Sequence, residues 1–510
     1  MTGFSLWKRN KGHRAALVLT SAAVLLTLCT TSVFAEATQS GEQKNVIRVG
    51  HSNLQGRKAY QPSTILYPDG RTIAFIGTHA GAEPNPLNGG VVEANGTMIV
   101  DVSDPDKAKD LFHIPGTGGD SQMTRLCLGA DLPGGVAGKV YLMRNFKTGY
   151  ETWDVTKPRQ PKLLQTYGGF PVTHKMWWEC STGIAYMPGS LTVDGWRQKQ
   201  SMVIVNWSNP AKPPVYIRTF GLPGAQPTAT GPIPPSLHGA ISAHDHPMAA
   251  KPVGDGSLSS DVVGNRVYAA YGVGDDGVVQ VLNRAKLLYF MGDAHRPVRE
   301  DLLAPQIGKL IMSPDQGGHT SMPVFGVKVP SFQDFSELST RDLLIVTSES
   351  TANQCQEAPH WGFITDITTE SKPFNLSTMS VDPRDGEKFD RGNYCTRGSR
   401  FGAHSSEENW NNPYYGKLTF IAYFSGGTRV WDIRNPTAPV EVGFYVPVNN
   451  KNTQESCATI NGKQVCKKSY MTNNLELDDR GYIYSVDRAG TGMDILELTG
   501  KAKRIGEDRL

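Results

Sequence analysis

The chain has 510 residues, 39% of them hydrophobic and 19% charged, with a formal net charge of +3. That length allows a large buried core, and the near balance of charge leaves no basic surplus for nucleic acid, so none is expected as a partner.

The first 35 residues have the pattern of a cleaved secretory signal. Lys8, Arg9, Lys11 and Arg14 form a basic start, "AALVLTSAAVLLTL" supplies an apolar middle, and "SVFA" offers small residues for cleavage after Ala35. The apolar run is short for a membrane span and no later run is long enough, which predicts a soluble, periplasmic or secreted protein without a transmembrane segment. Removing four of the 51 basic residues leaves 47 against 48 acidic ones, a mature charge of −1. Six cysteines remain, an even number that favours disulfides in an exported chain. The simplest pairing joins sequence neighbours: Cys127–Cys180, Cys355–Cys395 and Cys457–Cys466.

No Gly/Ser- or Pro-rich linker divides residues 36–510, but one pattern recurs through them. "TMIVDVSDP" (97–105), "YETWDVTKP" (150–158), "MVIVNWSNP" (202–210), "GVVQVLNRA" (277–285), "WGFITDITTESKP" (361–373), "TRVWDIRNP" (428–436) and "GMDILELTG" (492–500) each join a β-branched or aromatic run to a polar turn. The copies align on Asp101, Asp154, Asn206, Val281, Asp366, Asp432 and Glu497. A strand precedes each copy and another follows, including "KLLYFMGD" (286–293) and "AKRIGEDRL" (502–510). With one more strand upstream of each unit, this predicts an all-β, seven-bladed β-propeller of four-stranded blades, a single domain over 36–510. "NVIRVGHS" (45–52) reads as an outer strand that closes the ring on either the C-terminal blade or the first one.

"TMIVDVSDPDKAK", "MVIVNWSNPAKP" and "TRVWDIRNPTAPVEVG" resemble the LVIVD-repeat family of bacterial β-propellers. The resemblance implies an exported propeller and leaves its chemistry open, because propellers host unrelated functions.

Four of the expected innermost strands carry a histidine near their start: "VTHKMWWEC" (172–180), "ISAHDHPM" (241–248), "GGHTSMPV" (317–324) and "FGAHSSEENW" (401–410). Repeat symmetry would bring His174, His244, His246, His319 and His404 around one axis, with His238 replacing His244 if the register slips. In a strand, His244 and His246 would face the same side. Converging imidazoles suit a transition metal, copper or iron rather than zinc. Asp245, Glu179, Glu407 and Glu408 are nearby carboxylates, and Arg125, Lys175 and Asn474 are candidates to hold an anionic substrate. Glu407, Arg125 and Lys175 are the expected catalytic groups. His51, Arg57 and Lys58 read as a solvated basic loop and His79 as a surface histidine.

These features predict a metal-dependent oxidoreductase acting on a small molecule. The competing expectation is a non-catalytic scaffold that displays loops to an envelope protein or a polysaccharide. No serine-nucleophile elbow, phosphate loop or HExxH motif is present.

Overall fold

A computed structural model describes residues 41–117, 119–253, 261–329 and 340–508. The signal segment expected at 1–35 lies outside them. Among the described residues no helix is long and apolar enough to cross a membrane.

The polar residue closing each repeat builds its own turn. Oδ1 of Asp101 accepts from the Ser103 N–H at 3.1 Å and hydroxyl at 2.6 Å, and Asp154 does the same with Thr156. Asn206, Asp366 and Asp432 each accept the N–H two residues on, at 3.0, 2.7 and 3.1 Å. An Asx side chain that captures this N–H ends the strand and reverses the chain. The two copies without an Asx side chain, at Val281 and Glu497, run into short helices instead, Arg284–Leu288 and Gly500–Gly506. The outer strands expected from residues 286 and 502 are therefore absent. Gln306–Ile311 and Val46–Ser52 take their places.

The strands form an all-β propeller. Five separate four-stranded antiparallel sheets are present, with innermost strands Ala59–Leu66, Thr124–Leu128, Trp177–Trp178, Leu237–Ser242 and Thr320–Lys328. This corrects the expectation of seven independent blades. Two further meanders, starting at Phe401–Ser406 and Thr472–Leu477, share the pair Phe424–Thr472 and merge into one nine-stranded sheet. The merged sheet also takes in Glu42–Lys44, which pairs with Val440–Val446, and Val46–Ser52, which pairs with Met493–Leu498. The N-terminal strands thus close on the C-terminal part of the chain. In all seven sheets or meanders the register between third and fourth strands shifts near the same repeat position, for example at Ile99/Val100 and Val430/Trp431. Such bulges increase the strand twist that radial packing needs.

Neighbouring sheets bury their faces against one another. One interface gathers Tyr60, Met123, Cys127, Tyr150, Met176, Trp178 and Trp207. Each such side chain contributes roughly 1.5–3 kcal/mol when fully buried. All three neighbour disulfides form: Cys127–Cys180, Cys355–Cys395 and Cys457–Cys466. Cys127–Cys180 ties the innermost strand of one sheet to the turn that follows the innermost strand of the next. Glycine at 77 permits one close approach, since a Cβ there would stand 2.0 Å from the carbonyl oxygen of Gln122, a residue that orients His174.

Candidate metal centre

Innermost strands converge at their first residues, so a side chain at a strand start meets its counterparts from other sheets. His238 is the second residue of Leu237–Ser242, His319 immediately precedes Thr320–Lys328, and His404 lies in Phe401–Ser406. His174 precedes the short strand Trp177–Trp178. Ring centroids are 4.3 Å apart for His174 and His238, 3.9 Å for His238 and His319, and 4.2 Å for His319 and His404. His174, His319 and His404 therefore meet as expected, and His238 joins them.

His244 and His246 do not join. The strand ends at Ser242, so "HDH" lies in the turn beyond it and borders a different cavity. His244 Nδ1 is 3.2 Å from the Gly264 carbonyl, and His246 Nε2 is 2.9 Å from the Tyr415 hydroxyl. The Gly-Ala pair after His238 hides the strand start from a reading by β-branched residues, which is why the register slipped by one histidine.

The cluster's hydrogen bonds fix where its protons sit. His238 and His404 direct Nδ1 at the carbonyl oxygens of His319 (2.9 Å) and Asn473 (2.6 Å). A carbonyl only accepts, so each Nδ1 carries the proton and each Nε2 is a bare lone pair. His174 Nδ1 faces Gln122 Oε1 at 2.8 Å, and with the amide in that orientation its Nε2 is bare as well. The Nε2 atoms of His174 and His238 stand 2.7 Å apart. Two lone pairs at that distance repel unless a proton or a cation lies between them. A proton is disfavoured: burial, with the Lys175 ammonium next, holds His174 down at about 3, and burial holds His238, His319 and His404 well below the ordinary histidine range. His404 Nε2 is buried without a hydrogen-bond partner. Four neutral imidazoles with bare nitrogens fit a borderline transition-metal ion.

Three residues complete the centre and were missed in sequence. Glu349 puts a carboxylate oxygen 3.6 Å from His404 Nε2 and another 3.9 Å from His319 Nε2. Ligand atoms of His238, His319 and Glu349 all lie within 4.8 Å of one another. The Tyr60 hydroxyl is 3.2 Å from His319 Nε2 and 3.4 Å from His174 Nε2. Gln122 bridges His174 to His79, which is buried and packs edge-on against Tyr60 at 5.0 Å. His79 is thus no surface histidine. Arg57 is fully buried, donating to the Glu93 and Glu83 carbonyls and Asn95, so the solvated basic loop is corrected too. His51 pairs with Asp494.

The expected catalytic groups form a network that begins one residue past the cluster, at Lys175, and runs towards the other ends of these strands. Lys175 bonds Thr320 Oγ1 at 3.1 Å and pairs with Glu408, which also pairs with Arg125. Asn474 donates to Gln61 at 2.8 Å and Ser405 at 3.2 Å. Glu407 is held by Thr419 and the Phe420 N–H, and burial pushes it up to about 8. Glu179 is bound by Arg284, Tyr186 and Ser242, and Asp245 accepts from Cys180 and Ser181. Arg125, Glu408, Glu476, His244, His246 and three tryptophans border a cavity of about 670 Å³ at this end.

The family description "LVIVD repeat" matches residues 414–446. No curated protein matches the chain. Among solved structures it is similar to Sqt1 from Chaetomium thermophilum (12% identity, TM-score 0.45, covering 89% of this chain and 99% of that one). It is also similar to virginiamycin B lyase from Staphylococcus aureus (11%, TM-score 0.41, 90% and 100%). A hypothetical selenium-binding protein from Sulfolobus tokodaii is a third (9%, TM-score 0.44, 87% and 92%). The chain is a β-propeller that carries a match to the LVIVD repeat at residues 414–446.

Proposed function

We propose that this protein is an exported, metal-dependent oxidoreductase acting on a small molecule, with His174, His238, His319 and His404 as metal ligands and Glu349 beside them. The observation that carries this reading is the pair of bare Nε2 atoms 2.7 Å apart among buried neutral imidazoles. A copper or iron ion held there would supply one-electron redox chemistry. The Nδ1 contacts to the His319 and Asn473 carbonyls and to Gln122 orient the rings, and Glu349 offsets positive charge at the centre. Three disulfides support export to an oxidising compartment. The reading counts seven radial units, two of them fused through Phe424–Thr472.

A second reading, a scaffold for an envelope partner, is favoured by Tyr289 and Met291, which are 82% and 98% exposed.

Metal analysis separates the two. After loading with Cu(II) or Fe(II) and desalting, the parent protein is expected to retain close to one equivalent. His238→Ala should weaken retention by at least about tenfold, and His244→Ala should leave it unchanged. Sub-stoichiometric metal in a folded parent would overturn the oxidoreductase.

A further inference from the structure

A second cavity, about 280 Å³, lies over the outer side of the histidine centre. His79, beside Tyr60, lines it, and so do Arg400 and Arg488, which reach Glu349 at 2.7 and 3.5 Å. Glu349 in turn touches His319 and His404. A molecule in this cavity is thus separated from the Nε2 cluster by single side chains.

The lining contains two cationic side chains with donors to spare. Lys58 makes no side-chain hydrogen bond or ion pair among the described residues, and the Arg488 guanidinium has only its 3.5 Å ion pair to Glu349. Arg400 is better satisfied, by Glu349 and the Ser350 carbonyl. Two carboxylates also border the space. Asp120 already accepts from the Ala80 N–H at 2.7 Å and lies 3.7 Å from His79, and Glu455 is exposed. The unused donors therefore belong to Lys58 and Arg488. A guanidinium and an ammonium with free donors match a planar, charged acceptor such as a carboxylate.

We propose that this cavity binds a small organic carboxylate, held by Arg488 and Lys58, as the substrate class of the neighbouring centre. Its role as a substrate site rests on the oxidoreductase reading, but its binding chemistry does not. The volume limits the ligand to about the size of a single-ring acid.

Benzoate and its neutral isostere benzamide are the probes. Calorimetric titration of the metal-free full-length protein is expected to show benzoate binding at least tenfold tighter than benzamide. Arg488→Met and Lys58→Met should each lose most of that preference, with thermal unfolding and Cu(II) uptake close to the parent's. In the Cu(II)-loaded parent, benzoate and not benzamide should shift the copper electron paramagnetic resonance signal. Equal binding of the two probes, or parent-like benzoate binding in both variants, overturns the site. Binding without a spectral shift overturns the substrate role. Benzoate binding in a protein that takes up no metal leaves the carboxylate site standing and removes the oxidoreductase.

Discussion

The two ends of the innermost strands manage buried polar groups in opposite ways. At the strand starts, desolvation keeps the imidazoles neutral and their nitrogens face one another, with His404 Nε2 unpartnered. Beyond them, in the Lys175–Glu408–Arg125 network, the charges are retained and paired. Burial works against the Glu408 carboxylate, yet the Lys175 and Arg125 cations hold it below the usual range. On the proposed reading a cation completes one end, whereas the other already contains its own. The difference separates a binding centre from a structural ion network, although both are buried and both are rich in titratable groups.

The largest expected effect breaks the self-sufficient end. Glu408→Ala leaves the buried Lys175 and the half-buried Arg125 without their counter-charge and is expected to cost about 3–5 kcal/mol in urea unfolding. Replacing all three, with Glu408→Leu, Lys175→Met and Arg125→Met, should recover most of that loss. If Glu408→Ala is nearly neutral, the triad is not buried as described.

pH sharpens the contrast, because the two ends respond with opposite sign. Burial raises Glu407 and Glu476 from 4.5 to about 8. Between those values the folded chain holds protons that the unfolded chain has released, so stability is full below 4.5 and falls as pH rises towards 8. Burial lowers His79 and His174 from 6.5 to about 3. There the unfolded chain binds the extra protons, so stability falls as pH drops from 6.5 towards 3. Metal-free protein should therefore lose stability between pH 6.5 and 8, where the histidines are silent. Glu476→Gln should reduce that loss by about 2 kcal/mol, measured by urea unfolding across the window. An unchanged profile would show that Glu476 ionises freely in the folded protein.

Much of this architecture was legible because its turns are local. Asp101, Asp154, Asn206, Asp366 and Asp432 build their turns from the next two residues, and the spacing of those turns announces the repeat. Where the local device is missing, at Val281 and Glu497, the expected outer strands failed as well. The fusion of two meanders through one residue pair has no periodic signal. At the centre, histidines at strand starts were visible as a pattern, but a slip from one histidine to the next along the fourth innermost strand exchanged His238 for His244 and moved the assignment to the other end. Glu349 follows the apolar run of Thr340–Thr347 in a second strand, so no reading of innermost strands could reach it. Tyr60 belongs to an innermost strand whose start was hidden in a segment that looked like a solvated loop.

The smallest effects compare two tyrosines, one at each end. The Tyr415 hydroxyl donates to the Pro323 carbonyl at 3.0 Å, accepts the Phe325 N–H at 2.9 Å and contacts His246 Nε2 at 2.9 Å. Tyr415→Phe leaves a buried N–H and a carbonyl without that partner and is expected to cost about 1–3 kcal/mol in thermal unfolding. Among the described residues the Tyr60 hydroxyl has hydrogen-bond contacts only to the Nε2 atoms of His319 and His174, at 3.2 and 3.4 Å. In metal-loaded protein those nitrogens are directed at the cation, so Tyr60→Phe gives up little and should cost about 1 kcal/mol or less. Without metal the same hydroxyl is a proton donor to otherwise bare nitrogens, and the cost should rise. A Tyr60→Phe penalty that is the same with and without metal would mean that the imidazoles do not turn their lone pairs to an ion.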